Sequence, residues 1–95
     1  MRKTKIIATI GPASDNEETM RELALAGMDC ARFNFSHDAH SDHARKINLL
    51  KKVRDELGIP IATLLDTKGP EIRIGDFENG SIYLNEGDTF TFVSQ

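Results

Sequence analysis

Lys5-Ile6-Ile7-Ala8-Thr9-Ile10 is a short apolar run rich in β-branched residues, and Gly11-Pro12 closes it. Its apolar residues do not alternate with polar ones, so it reads as a strand buried on both faces, the kind a parallel sheet uses. The same unit recurs outward from it. Ser14-Asp15-Asn16-Glu17-Glu18 has the make-up of a helix start. Ser14 and Glu17 fit a capping box, and the acidic cluster suits the positive end of the helix dipole. Met20, Leu23 and Ala24 or Ala26 supply the apolar stripe, and Gly27 is placed to end the helix. Met28 to Phe35 is the second strand. A second helix is expected from near Ser41 to Leu57, with Ala44, Ile47, Leu50, Val53 or Arg54, and Leu57 at buried spacing. Gly58 stops it and Pro60 blocks a restart. Ile61 to Leu65 is the third strand, ending at Asp66. The order β-α-β-α-β with short connections predicts parallel strands joined by right-handed crossovers.

The texture changes after Gly69-Pro70. Glu71 to Ile74, Ser81 to Leu84 and Thr89 to Val93 are short alternating segments, split by Asn79-Gly80 and by Glu86-Gly87-Asp88. Those are hairpin signals, so a β-meander is expected after a boundary near Pro70. Three parallel strands with two helices leave one sheet face bare, and Thr91-Phe92-Val93-Ser94-Gln95 runs on like a strand without a stop signal. The pattern therefore expects further chain, or a partner, to cover the sheet.

Composition narrows the class. The 95 residues carry 12 Lys plus Arg against 15 Asp plus Glu, a formal charge of -3, which provides no basic field for nucleic acid or anionic lipid. Aromatic residues at 6% also argue against a stacking platform for single strands. Cys30 is the single cysteine and has no internal disulfide partner, which favours a reducing compartment. The basic start Met1-Arg2-Lys3-Thr4-Lys5 precedes an apolar run too short for a signal segment, and no run approaches the ~18 apolar residues of a membrane span. A soluble cytoplasmic protein that binds neither nucleic acid nor membrane is expected.

In parallel α/β sheets, ligands gather beyond the C-terminal ends of the strands. Three such ends can be read: Thr9 to Ser14, Arg32 to His37, and Asp66 to Arg73. Arg32, Asn34 and Ser36 alternate, so an extended segment projects them to one side, opposite Phe33 and Phe35. An arginine there either clamps a phosphate or carboxylate, or pairs internally with Asp66. Asn34, Ser36, Asp66 and Thr67 offer hard oxygen atoms with one formal negative charge, which suits a monovalent cation better than a divalent one. The same residue types also serve plain turn chemistry. His37, His40 and His43 recur every three residues, but that spacing sweeps round a helix, and a solvated helix start explains the segment better than zinc. His37 differs from the other two in lying at the ligand edge. Lys68 and Arg73 face either a phosphate or solvent.

At these three loops the sequence resembles the pyruvate kinase family. The resemblance rests on Thr4-Lys5-Ile6-Ile7-Ala8-Thr9-Ile10-Gly11-Pro12-Ala13-Ser14, on Ala31-Arg32-Phe33-Asn34-Phe35-Ser36-His37, and on Leu65-Asp66-Thr67-Lys68-Gly69-Pro70-Glu71-Ile72-Arg73. It implies that residues 1–71 are the first β-α-β-α-β part of a (β/α)8 TIM barrel, and that residues 72–95 begin a small inserted β-domain. It implies Arg32 as the catalytic and substrate-binding arginine. It also implies Asn34, Ser36, Asp66 and Thr67 as potassium ligands, and Asn34, His37 and Arg73 as nucleotide-site residues. The family's reaction moves the phosphoryl group of phosphoenolpyruvate to ADP, giving pyruvate and ATP in glycolysis, in a homotetramer. The family's catalytic lysine and magnesium ligands have no counterpart in these residues, so the chain alone is expected to be inactive. A non-catalytic module of the same ancestry, binding a phosphorylated ligand or a partner, is the alternative. Asp38 stands where family members often have glycine, and Cys30 replaces a commoner aliphatic residue.

Overall fold

The computed structural model describes residues 2–94; Met1 and Gln95, the outer ends of the basic start and of the last strand-like run, lie outside the described residues. The elements are β1 (Ile7–Thr9), α1 (Glu17–Ala26), β2 (Cys30–Asn34), α2 (His40–Leu57) and β3 (Ala62–Asp66). All pairing is parallel in the order β1-β2-β3, with Thr9 opposite Arg32 and Asn34 opposite Asp66. The three expected strands and two expected helices are present, with β1 and β2 shorter than their apolar runs and β3 shifted on by one residue.

The helices form where the apolar spacing puts them, with two shifts. At α1 the cap is Asn16, whose Oδ1 accepts from the Thr19 amide at 2.9 Å. Ser14, the expected capping residue, instead closes a turn with Gly11: its Oγ accepts from the Gly11 amide and its amide donates to the Gly11 carbonyl. Asn16 caps as well as Ser14 and lies nearer the periodic residues, so it takes the role. Gly27 ends α1 in the left-handed region at φ 116, and the Arg2 guanidinium sits 3.0 Å from where a Cβ would be. α2 starts at His40, capped by Ala39 without a side-chain bond, and its buried residues are His43, Lys46, Leu50 and Val53. The face is thus turned from the expected one, and Ala44 is exposed. Polar His43 and Lys46 occupy positions that an apolar count passes over.

The core joins Met20 and Ala24 of α1, Leu50 and Val53 of α2, Ala31 and Phe33 of β2, and Ile10, Met28 and Ile61 beside them. Phe33 is 1% exposed at its centre. Ionic ties bind the helices outside this core. Arg21 bridges Glu17 and Glu56, and Lys52 also reaches Glu17 at 3.1 Å. Below the sheet, the Asp29 carboxylate accepts from the Ile6 amide at 2.8 Å and from Arg2 at 3.1 Å. The Ile6 amide and the Arg2 guanidinium hold Asp29 below the usual carboxylate range.

After Asp66 the picture differs. Turns form at the expected places, closed by Gly80 onto Phe77 at 2.9 Å and by Asp88 onto Asn85 at 3.0 Å. No strand forms among the described residues beyond Asp66, so the expected meander of paired strands is absent there. A turn needs only local bonds, whereas a strand needs a neighbour to pair its N–H and C=O groups. Ile72, Tyr83 and Val93 stand in solvent accordingly.

Candidate functional site

The parallel register brings the ends of β1, β2 and β3 to one edge. Along β2, Ala31 and Phe33 face the core, so Arg32 and Asn34 lie on the opposite, helix-free face. Arg32 donates from Nε to Asp66 Oδ2 at 2.9 Å, pairs with the same carboxylate through Nη2, and donates from Nη1 to Thr9 Oγ1 at 3.1 Å. The internal pairing that the sequence left open is therefore present. It does not use up the arginine: a guanidinium has five N–H groups, and these three bonds leave one on each terminal nitrogen. Those two remain as donors for a carboxylate or phosphate. The Arg32 side chain retains 30% exposure, which keeps the fork reachable.

Asn34 and Asp66 are paired in register, and the Asp66 carbonyl accepts from the Phe35 amide at 2.8 Å. Ser36 is not in the extended segment expected for it. β2 ends at Asn34, and the chain turns there because Asn34 Oδ1 accepts the Ser36 amide at 3.1 Å. Turn chemistry is therefore present at Asn34 and Ser36, next to the register position of Asp66. Thr67 follows directly and is exposed. Chemically the set fits a monovalent cation: amide, hydroxyl and carboxylate oxygens with a single charge, itself shared with Arg32. Among the described residues, no group of three or more His, Cys, Asp or Glu side chains is arranged to hold a metal ion.

His37 is exposed at the edge. Arg73 lies outside the edge cluster, held by Glu71 through Nε at 3.0 Å and Nη2 at 3.1 Å. That bonding holds Glu71 below its usual range, with the Lys68 and His37 charges adding to it. No described hydrogen bond joins Arg73 to His37. Lys68 stands 3.8 Å from Glu71.

Two residues at this edge escaped the sequence reading as site residues. Thr9, at the end of β1, holds the third guanidinium nitrogen of Arg32, Nη1. His43 is 2% exposed, with Nε2 2.6 Å from the His37 carbonyl and its ring stacked on Phe35 at 4.1 Å. The signal for His43 was its place in the series 43, 46, 50, 53, which keeps helical spacing once polar residues are admitted to it.

A family model described as pyruvate kinase, barrel domain, matches residues 1–95. The chain is 55% identical over 87 residues to the pyruvate kinase of Staphylococcus haemolyticus, covering 92% of this chain and 15% of that protein. It is 52% identical over 93 residues to the pyruvate kinase of Clostridium acetobutylicum, covering 98% of this chain and 20% of that protein. The Clostridium perfringens pyruvate kinase is 53% identical over 92 residues, which cover 97% of this chain and 19% of that protein. The chain thus spans about a fifth or less of the length of the curated relatives it matches.

Proposed function

The chain belongs to the pyruvate kinase family, and from that premise we propose that it is the N-terminal portion of a pyruvate kinase that transfers the phosphoryl group of phosphoenolpyruvate to ADP. In this reading residues 1–71 open a (β/α)8 barrel and residues 72–95 begin a small inserted β-domain. The bare sheet face and the unpaired segments after Pro70 support it, since both are surfaces that more of the same fold would cover.

The observation that carries the reading is Arg32, fixed at the strand ends by Asp66 and Thr9 with two N–H groups unspent. Phosphoryl transfer is mostly positioning and neutralisation of anionic oxygens, and a preorganised fork does both. Arg32 binds the phosphoryl and carboxylate oxygens of the substrate. Asn34, Ser36, Asp66 and Thr67 hold potassium, and Asn34, His37 and Arg73 line the nucleotide side. A potassium ion held by these oxygens would supply positive charge against the anionic substrate, and magnesium would add to the neutralisation of the phosphates. The 95 residues alone lack activity, and the complete enzyme works as a cytoplasmic homotetramer.

Arg32→Lys in the complete enzyme tests this. Lysine keeps the charge but loses the fork, so turnover should fall by about 100-fold or more while the melting temperature moves little. Kinetics close to wild type would contradict the assignment.

A further inference from the structure

α2 reaches back to the turn after β2 at two points where an apolar residue would serve the core at lower cost. His43 stacks on Phe35 with planes at 12° and places Nε2 2.6 Å from the His37 carbonyl. A carbonyl only accepts, so Nε2 carries the proton, and Nδ1 is left as a buried nitrogen with no hydrogen-bond partner among the described residues. One turn on, Lys46 is 4% exposed and donates to Asp38 Oδ2 at 3.0 Å. That bond and the charge of Lys46 hold the Asp38 carboxyl below its ordinary range. Asp38 itself has φ 65, the one non-glycine residue with positive φ among the described residues. A buried ammonium, an orphaned ring nitrogen and a left-handed aspartate each cost free energy. All three cluster on the four residues 35–38, which follow Asn34 directly.

We propose that His43 and Lys46 are positioning residues for this turn. His43 pins the His37 carbonyl and the Phe35 ring, and Lys46 holds Asp38 in its left-handed conformation. Between them they fix where the Asn34–Ser36 turn sits beside Asp66, and so whether the oxygen set is formed before a cation arrives. Neither residue belongs to that set or to the Arg32 fork; both act through the turn. The inference rests on the pyruvate kinase reading given above.

The test uses the complete enzyme with wild-type, His43→Phe, His43→Gln, Lys46→Met and Lys46→Met/Asp38→Gly forms. Two quantities are read: the potassium concentration for half-maximal activation, and hydrogen exchange of a peptide spanning residues 34–38, measured without substrates. His43→Phe keeps the ring stack and loses the donor. It should raise the half-activating potassium concentration roughly tenfold and speed exchange by a similar factor, with kcat at saturating potassium within about threefold of wild type. Glutamine can still donate to the carbonyl, so His43→Gln should return both values most of the way. Lys46→Met should behave like His43→Phe, and adding Asp38→Gly should reverse it, because glycine adopts φ 65 unaided. Variants that lose thermal stability while both readouts stay unmoved would overturn the proposal. If His43→Phe does not fold, the Lys46→Met and Asp38→Gly pair decides alone. A wild-type enzyme that forms no pyruvate in a potassium-dependent way would overturn the functional reading and this assignment with it; a potassium-dependent wild type with unmoved variants overturns this assignment only.

Discussion

Between Ile6 and Asp66 each strand has a hydrogen-bonded neighbour, and two helices cover one face; from Thr67 to Ser94 the chain carries turns and apolar residues but no ladder. Both regions contain alternating or continuous apolar runs punctuated by glycine. What separates them is a helical layer that holds the strands together. β1 finds β2 about twenty residues on because α1 folds back over the pair, and the crossover is complete within the chain. After Pro70, the Phe77, Phe90 and Phe92 rings gather edge-to-face at 6.3 and 5.0 Å, so apolar contact occurs without strand pairing. The Cα radius of gyration of 18.3 Å records the result, against about 12 Å for a compact domain of this length.

The contrast predicts opposite responses to truncating large apolar side chains. Phe33→Ala should cost about 3–5 kcal/mol in urea unfolding, because it empties the centre of the core. Tyr83→Ala, at an almost fully exposed site, should change the same transition by less than about 0.5 kcal/mol. Equal costs would erase the distinction between the regions. Asp66→Asn sharpens it at the sheet edge, since one carboxylate both orients Arg32 and supplies the charge of the oxygen set. In the complete enzyme it should raise the potassium requirement roughly tenfold and also lower turnover; an unchanged potassium dependence would leave only turn chemistry there.

Smaller effects distinguish the two ends of the packed region. Gly27→Ala should destabilise by about 1–2 kcal/mol, because a Cβ is strained at φ 116 and meets the Arg2 guanidinium. Gly80→Ala, also at positive φ but with open space around it, should cost less. The smallest effect is with pH. Asp29, bonded by the Ile6 amide and Arg2, and Glu17, bonded by Lys52 and Arg21, are held below their ordinary values of 3.8 and 4.5. The native state binds fewer protons than the unfolded one in that range. The stabilisation is therefore present above those values and drains away as pH falls through the lower folded ones. Thermal midpoints should hold from about pH 7 to 5 and decline below about pH 4, less steeply in Asp29→Asn.

Most of the packed region was legible in the sequence, for reasons that differ by residue. Gly27 and Gly58 carry strong local signals and end their helices as read. The Ile6 to Ile10 run does form β1, but not as a strand buried on both faces, since Ile6 and Ile7 are 42% and 59% exposed on a sheet that has helices on one side only. Ser14 and Asn16 could each cap α1, and only the Gly11–Ser14 turn decides between them. His43 and Lys46 were hidden because burial of polar residues depends on partners that a periodicity count does not see. At the site, the alternation of Arg32 and Asn34 located the edge, while Ser36 left the strand because Asn34 Oδ1 took its amide. The choice between anion clamp and ion pair at Arg32 was not legible, because the answer is geometric: the pair forms and part of the fork stays free.

The measurement that bears most directly on the account is pyruvate formation from phosphoenolpyruvate and ADP, with potassium and magnesium present. It compares the full-length native protein with the isolated 95 residues. The account predicts turnover by the full-length protein and none by the isolated chain. Turnover by the isolated chain, or its absence in the full-length protein, would contradict it.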